Sequence, residues 1–289
     1  MVVNGFDRGG RWGDFNVQEA REFPWIDLCL RQIERHSRGS SYEILVWDNT
    51  RMPEHKELIE AHPNVRRFEP VDPQLDLRQG KSLNRLAKKI LPGTEFIITL
   101  DSDSFPIRDG WIENLTGRLT GDVELAGAWR DELLPHKPAY VHPCGLALRH
   151  SMLLSLDVGF AVGSGIDVAM NLNEAIHARG GRDSRLWRSN KLNVHFMMGA
   201  VYGDLIYHQG AGSRAPKFGL KLDGTDRESV RSYQERVRLA LRNAAFSQLD
   251  ELIEVLTGNA DLDESRMPEL AAVVSEASSQ PSVAERVQE

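Results

Sequence analysis

Two carboxylates stand side by side directly after an apolar run of this chain. In the segment "FIITLDSDSFP", Asp101 and Asp103 are separated only by Ser102. Neighbouring negative charges repel each other unless a positive charge lies beside them. Hard divalent cations prefer carboxylate oxygens as ligands. The triplet therefore indicates either a site for Mn²⁺ or Mg²⁺ or a solvated acidic turn, and its surroundings must decide between the two.

The order of apolar segments predicts an α/β fold. Short apolar strands at 42–50 and 94–100 alternate with helical patterns at 25–36 and 80–91. This alternation is typical of a parallel sheet covered by helices, in which ligands bind beyond the carboxyl ends of the strands. We therefore expect Asp48 and the acidic pair to face one crevice.

The remaining elements are predicted from local patterns, with residues 5–23 interpreted as a loop. Strands are expected at 2–3, 65–68, 123–129 and 144–148, with one or two more in 194–208, around the turn at 203–204. Helices are expected at 53–61, 150–156, 167–179 and 228–257.

Composition and charge narrow the class of protein. The 289 residues carry a net charge of −7, but the segment from Asp250 onward holds a net −8 and the main body only +1. The sequence contains no basic stripe of the kind that binds nucleic acid. It also contains no uncharged apolar stretch near the length of about 20 residues that a membrane-spanning helix needs. The two cysteines do not form a disulfide framework, so reduced thiols in a cytoplasmic protein are expected.

Six segments together resemble the GT-A-fold glycosyltransferases, closest to family 2. They cover roughly residues 24–215 in the family's order and read "EILVWDNT", "GKSLNRLA", "FIITLDSDSFP", "CGLALRHSMLLSLDVGF", "GIDVAMNLNEAIHARG" and "LIYHQGAGSR". The resemblance implies a Rossmann-like mixed sheet flanked by helices in 1–222. Beyond it, the amphipathic pattern predicts a helical segment at 223–274, and the polar, acidic composition of 275–289 predicts a disordered tail. The resemblance also implies metal-dependent, inverting transfer of a sugar from a nucleotide-diphosphate sugar to an acceptor hydroxyl.

The same resemblance assigns roles to individual residues. Asp101, Asp103 and His208 would hold Mn²⁺ or Mg²⁺, and Asp167 would remove the proton of the acceptor hydroxyl. The nucleotide sugar would be bound by Asn4, Asp48, Lys81, Asn84, Ser102, Gly145, Ser213 and Arg214. The acceptor, whether glycan, lipid-linked or small molecule, stays open, as does peripheral contact with a membrane.

Several of these residues also have a purely structural interpretation. Asp48 could cap the following helix, Lys81 could be a solvated helix-start lysine, and Gly145 could mark a bulge. His208 could be a packed strand-end histidine, and Asp167 a charge favoured at a helix N-terminus.

Two features depart from the family pattern. The family has two adjacent acids where this chain has Ile166 and Asp167, and its longer first strand is reduced here to "MVVNGF", followed by an insertion at 5–23.

Three other functions stay open at this point. A GT-A-like protein could bind a nucleotide sugar without turnover. A haloacid-dehalogenase-like phosphatase also carries Asp-x-Asp after a strand, but Phe105 and His208 occupy positions where that class has other residues. A sugar nucleotidyltransferase would need a glycine-rich loop that "DRGGRWG" matches only loosely.

Overall fold

The computed structural model describes residues 1–5, 17–70, 79–131, 138–160, 167–210 and 227–279, the last range without the side chains of 227–232 and 278–279. In the first half the elements are β1 Val2–Asn4, α1 Val17–Glu22, α2 Trp25–His36, β2 Ile44–Asp48, α3 Pro53–Glu60, β3 Val65–Phe68, α4 Gln79–Ala87, β4 Phe96–Asp101, β5 Ser104–Pro106 and α5 Trp111–Gly117. In the second half they are β6 Val123–Arg130, β7 Tyr140–Arg149, α6 His150–Ser155, α7 Met170–Ala178, β8 Arg182–Leu186, β9 Ala200–Tyr202, β10 Ile206–His208, α8 Arg227–Ser247, α9 Leu249–Thr257 and α10 Pro268–Ser279.

The main sheet has seven strands in the order β3-β2-β1-β4-β7-β6-β8. Strand β7 is antiparallel to both of its neighbours, and the other strands share one direction. The predicted mixed α/β sheet flanked by helices, with a helical C-terminal segment, is confirmed. The register aligns Asn4 with Asp48 and Val3 with Asp101, so the ends of three strands meet at one edge of the sheet.

A second, small sheet pairs the strand that follows the acidic triplet with two strands from later in the sequence. Its order is β5-β10-β9, and β10 runs antiparallel to β5 with His208 paired to Ser104. Phe105 and Tyr207 are fully buried, and their ring centroids lie 5.2 Å apart. The sequence predicted one or two strands around a turn at Gly203–Asp204, and the structure has the antiparallel strands β9 and β10 on either side of it. The small sheet therefore connects the acidic triplet to a distant part of the sequence.

The two faces of the main sheet carry separate apolar clusters. One cluster joins α2 and α5 to the small sheet and to α8, α9 and α10. The other cluster joins α4 and α7 to the opposite face, with α6 packed against its margin. Because apolar burial is the main favourable term in folding, this sandwich stabilises the strand ends that project from it. No helix of the described ranges has the length and apolar character needed to cross a membrane.

Several element predictions need correction. Residues 17–22 form α1 and not a loop, and the predictions missed β5 and β8. Helix α7 begins at Met170 and not at 167, because Ala169 has a left-handed backbone with φ of 64°.

The boundary predicted at 275 also shifts. Helix α10 continues through Ser279, with Leu270 and Val273 buried in the cluster that includes α8. Residues 275–279 are therefore helical and do not begin a disordered tail. Positions 280–289, the rest of the predicted tail, lie outside the described residues.

We expect Gly127→Ala to destabilise the fold by about 3 kcal/mol or more, since overpacking and backbone strain combine at this position. Gly127 has φ of 146°, and an added Cβ would lie 1.8 Å from the Gly145 carbonyl oxygen. Gly93 is the matched control: it has φ of 88°, and an added Cβ there would meet no atom within 4 Å, so Gly93→Ala adds only backbone strain of about 1 kcal/mol. Urea unfolding measures both changes, and equal losses would contradict this packing.

Candidate metal centre at the strand ends

Three side chains that the sequence analysis singled out meet at the edge of the main sheet. The Nε2 atom of His208 lies 3.7 Å from an oxygen of Asp101 and 3.7 Å from an oxygen of Asp103. One ligand atom from each of the three lies within 4.8 Å of the others. The side chains of Asp103 and His208 are 4% and 5% exposed, and that of Asp101 is 15% exposed.

This donor set fits one divalent cation. An octahedral ion with bonds of about 2.1 Å places neighbouring ligand atoms about 3 Å apart and opposite ones about 4.2 Å apart. The two 3.7 Å distances lie between these limits. Two carboxylates and one imidazole are acceptable ligands for Mn²⁺, and a dication between the carboxylates offsets their mutual repulsion.

The turn that carries the two carboxylates is held by local and distant hydrogen bonds. The Ser104 hydroxyl accepts from the Asp101 backbone N–H at 2.8 Å and donates to the Asp101 carbonyl oxygen at 3.1 Å. The Cys29 thiol donates to the Ser104 carbonyl oxygen at 3.2 Å. On the other side, the backbone N–H of Gln209 donates to the Asp103 carbonyl oxygen at 2.9 Å. The turn is therefore fixed before any ligand binds.

Two further side chains, which the sequence patterns did not predict, border the centre. The amide of Gln79, at the start of α4, donates a hydrogen bond to Asp101 Oδ1. The ring of His142 stacks on that of His208, with centroids 6.0 Å apart and planes at 27°. His142 lies on β7 beyond the segment 144–148 that was predicted as strand. The alternation of Tyr140, His142 and Cys144 is the signal that could have extended this strand.

The carboxylates act electrostatically on the buried groups around them. Burial raises the pKa of the Tyr207 hydroxyl, and the charge of Asp103 raises it further. Burial likewise raises the pKa of the Cys29 thiol, with additional contributions from Asp103 and Asp101. Both groups therefore stay neutral under the site, and the cysteine serves as a hydrogen-bond donor and not as a thiolate.

Asp48 ends the neighbouring strand but is not part of this cluster. It is fully buried, and its Oδ1 accepts from the Thr50 hydroxyl at 2.6 Å, the Thr50 backbone at 3.0 Å and the Asn4 amide at 3.1 Å. Its Oδ2 accepts from Arg67 at 3.0 and 2.9 Å. The Asn4 amide nitrogen also lies 3.0 Å from His55 Nδ1. A nucleotide that bound Asp48 would have to compete with these donors.

The other predicted donor-binding residues occupy different environments. Lys81 is exposed on α4 and Ser102 is buried in the acidic turn. Asn84 accepts a hydrogen bond from the Phe160 backbone at 2.8 Å, and Gly145 leaves space for Ile206, whose Cδ1 would lie 2.6 Å from an added Cβ. Ser213 and Arg214 lie outside the described residues.

Asp167 lies apart from the three clustered side chains, just before α7. Its Oδ1 accepts from the Val168 backbone at 2.9 Å. Its carboxylate is close to Tyr140, the first residue of β7, and burial together with this charge raises the pKa of Tyr140 well above its usual range. Helix α7 is attached to β7 through Asn173, whose amide bonds both the N–H and the carbonyl of Val141, at 3.0 and 3.1 Å.

Neither a protein-family model nor a curated protein matches the sequence significantly. Structural similarity extends to a mycobacterial protein, with 19% identity, a TM-score of 0.44 and 64% of each chain covered. It also extends to glucosyl-3-phosphoglycerate synthase from Mycobacterium tuberculosis in complex with Mg²⁺ and uridine diphosphate, with 17% identity, a TM-score of 0.43 and coverage of 64% of this chain and 67% of that one.

A third similar structure is 4-diphosphocytidyl-2C-methyl-D-erythritol synthase from Anaerococcus prevotii. Its identity is 12%, its TM-score is 0.41, and the alignment covers 64% of this chain and 85% of that one. The chain spans less than two thirds of the length of the mycobacterial protein.

We expect Arg67→Met to cost about 3–5 kcal/mol of unfolding free energy, because it leaves the fully buried Asp48 carboxylate without its cation. Arg66 on the same strand is the matched control. It pairs with Glu43 at 3.0 Å near the surface, so Arg66→Met should cost only about 1 kcal/mol or less. Chemical denaturation of both variants measures the difference. Similar costs for the two would show that Asp48 does not depend on Arg67.

Proposed function

We propose that this chain is a metal-dependent glycosyltransferase of the GT-A type, with a nucleotide-diphosphate sugar as donor. The observation that carries the proposal is the convergence of Asp101, Asp103 and His208 at one edge of the sheet. This edge is where ligands bind in open α/β sheets. The ordered resemblance of six sequence segments to family 2 glycosyltransferases supports it independently of this geometry.

In this proposal, Asp101, Asp103 and His208 would hold Mn²⁺ or Mg²⁺ beside the donor. The cation would supply Lewis-acid stabilisation of the negative charge that develops on the leaving diphosphate. The chain's own contribution is to fix both carboxylates in a turn that is already hydrogen-bonded through Ser104 and Gln209. Preorganised ligands of this kind need little rearrangement when the donor binds.

Asp167 takes the role of the base in this mechanism. It accepts the proton of the acceptor hydroxyl, whose oxygen then attacks the anomeric carbon from the face opposite the diphosphate, so the configuration inverts. The Asn173 amide attaches α7 to the backbone of β7, so the segment that carries Asp167 lies against this strand. The Asp167 carboxylate is close to Tyr140, at the start of β7.

The phosphatase alternative is disfavoured by the position of Asp204. That interpretation needs an acid from the "YGDLIYH" segment beside the Asp-x-Asp pair. Asp204 instead lies in the turn between β9 and β10, with φ of 53°, and the residue that faces the acidic pair is His208 at the other end of β10. A GT-A-like protein that binds a nucleotide sugar without turnover would bind the donor normally but transfer no sugar.

Replacing Asp103 by Ala should weaken Mn²⁺-dependent binding of uridine diphosphate by more than the roughly 10–100-fold that loss of an outer-shell partner costs. Isothermal calorimetry with and without Mn²⁺ measures this. Asp109, an exposed acid that pairs with His36 at 2.7 Å, provides the control, and Asp109→Ala should bind as the wild type does. Unchanged, metal-dependent binding by the Asp103 variant would remove the basis of the proposal.

Replacing Asp167 by Asn should leave binding of the donor unchanged and slow transfer by about 10²–10⁴-fold, the usual contribution of a general base. Donor binding is followed by calorimetry, and transfer by release of nucleoside diphosphate in the presence of an acceptor panel. Transfer at the wild-type rate would place the base elsewhere. Donor binding by the wild type without any transfer would favour the binding protein over the enzyme.

A further inference from the structure

One exposed aromatic side chain stands at the far end of the main sheet. Trp187 is 52% exposed, the highest exposure of any aromatic residue that the structure describes. Its ring meets that of Trp129 edge to face, with centroids 6.0 Å apart and planes at 62°. Trp129 itself is 7% exposed and belongs to the apolar cluster of α4 and α7. The buried ring of Trp129 therefore fixes the orientation of the partly exposed ring of Trp187.

Arg185 completes this group, which we call the tryptophan platform: Trp129, Arg185 and Trp187. The guanidinium carbon of Arg185 lies 3.8 Å from the centroid of Trp129 and 5.6 Å from that of Trp187. Asp183 holds the same guanidinium through Nε at 2.9 Å. The platform thus combines the exposed indole of Trp187 with the N–H donors of Arg185, which Asp183 holds beside it.

The platform lies on the same edge of the sheet as the candidate metal centre. Strands β6 and β8 are parallel, and Ala128 pairs with Leu186, so Trp129 and Trp187 both follow at the carboxyl ends of their strands. Strand β4, which ends at Asp101, runs in the same direction. The order β4-β7-β6-β8 separates the two positions by three strand spacings, or about 15 Å.

The platform is also continuous with the segment that carries Asp167. Val168 and Ala169, the two residues after it, belong to the same apolar cluster as Trp129. Trp129 and the residues that follow Asp167 therefore pack on the same face of the sheet. In the proposed reaction, a sugar on Trp187 would belong to the distal part of the acceptor, whose reacting hydroxyl Asp167 deprotonates.

We propose that the tryptophan platform binds a sugar ring of a saccharide acceptor, an inference that rests on the proposed glycosyltransferase function. A pyranose presents C–H groups on its faces and hydroxyls on its rim. An indole ring offers a large apolar face together with an N–H donor, and it loses little conformational entropy on binding. Arg185 supplies further donors for the hydroxyls beside the stacked ring. The acceptor class is accordingly an oligosaccharide longer than one residue.

Saturation-transfer NMR with maltotriose, cellotriose and mannotriose, in the absence of metal and nucleotide, tests this assignment. We expect saturation transfer from the wild type to at least one trisaccharide, and affinity about tenfold weaker for Trp187→Ala. Trp187→Phe keeps an aromatic face and should retain most of the affinity. Leu154→Ala is the control, because Leu154 is an exposed apolar residue on α6, beyond the opposite edge of the sheet.

Two results would overturn the inference. One is the absence of saturation transfer to all three trisaccharides, and the other is equal binding by the wild type and Trp187→Ala. A third contradicting result would come from the molecular mass measured by light scattering. If the wild type is a dimer and Trp187→Ala is a monomer, the exposed ring belongs to a contact between two copies of the chain.

Calorimetry with uridine diphosphate and Mn²⁺ separates this inference from the proposed function. Trp187→Ala should bind the nucleotide as the wild type does, which also shows that the variant is folded. If the wild type does not bind nucleotide but binds saccharide through Trp187, the donor assignment fails and the saccharide site stands. If nucleotide binding is normal and saccharide binding fails, only the platform is wrong.

Discussion

The candidate centre depends on the pairing of two short strands that are about a hundred residues apart in sequence. When β10 aligns with β5, His208 stands opposite Ser104, and Tyr207 stands opposite Phe105. The apolar pair is fully buried and its rings pack together, which stabilises this register. A shift of one residue would exchange the faces of the strand and turn His208 away from the carboxylates. Packing of the aromatic pair is thus what sets the imidazole between Asp101 and Asp103.

The same pairing determines how the C-terminal helices relate to the site. Gln209 follows His208 and is fully buried; its backbone N–H bonds the Asp103 carbonyl, and its side-chain amide donates to the Arg238 carbonyl of α8 at 3.1 Å. The Tyr207 hydroxyl donates to the Gln209 side chain at 2.6 Å. One residue therefore connects the acidic turn, the small sheet and α8. The helical segment predicted as an extension shares an apolar cluster with the strands of the site.

Local sequence patterns predicted the elements whose residues carry the signal within themselves. Strands β2 and β4 are nearly continuous apolar runs, and α2 has an apolar stripe at helical spacing, so these were found close to their observed bounds. Strand β8, "RDSRL", has charged residues at three of five positions, and β5 has only three residues, of which one is a proline. Both segments are strands because β8 pairs with β6 and β5 pairs with β10. A local hydrophobic pattern does not reveal such a pairing.

The candidate site also contains residues that the sequence could predict and residues that it could not. The carboxylate pair stands out in the sequence because it directly follows an apolar strand, and the family resemblance pointed to the strand-end histidine; the structure brings these three side chains together. Gln79, His142 and Arg67 could not be predicted, because a polar residue in a helix start or a strand does not reveal its partner. The position of Asp48 at the end of a strand is compatible with ligand binding and with a buried ion pair, so the sequence could not distinguish the two. The structure supplies the five donors that now surround its carboxylate.

The two acidic strand ends thus differ in what neutralises them. At Asp48 the chain provides its own cation, since the side chain of Arg67 is 7% exposed and reaches the carboxylate from the adjacent strand. Beside Asp101 and Asp103 the structure places the imidazole of His208, 3.7 Å from an oxygen of each, and the amide of Gln79, which donates to Asp101. Carboxylates are costly to bury without a compensating charge. In the proposed function, a dication held by Asp101, Asp103 and His208 would offset the repulsion between the two carboxylates of this turn, whereas the Asp48 carboxylate is neutralised by an arginine of the chain itself.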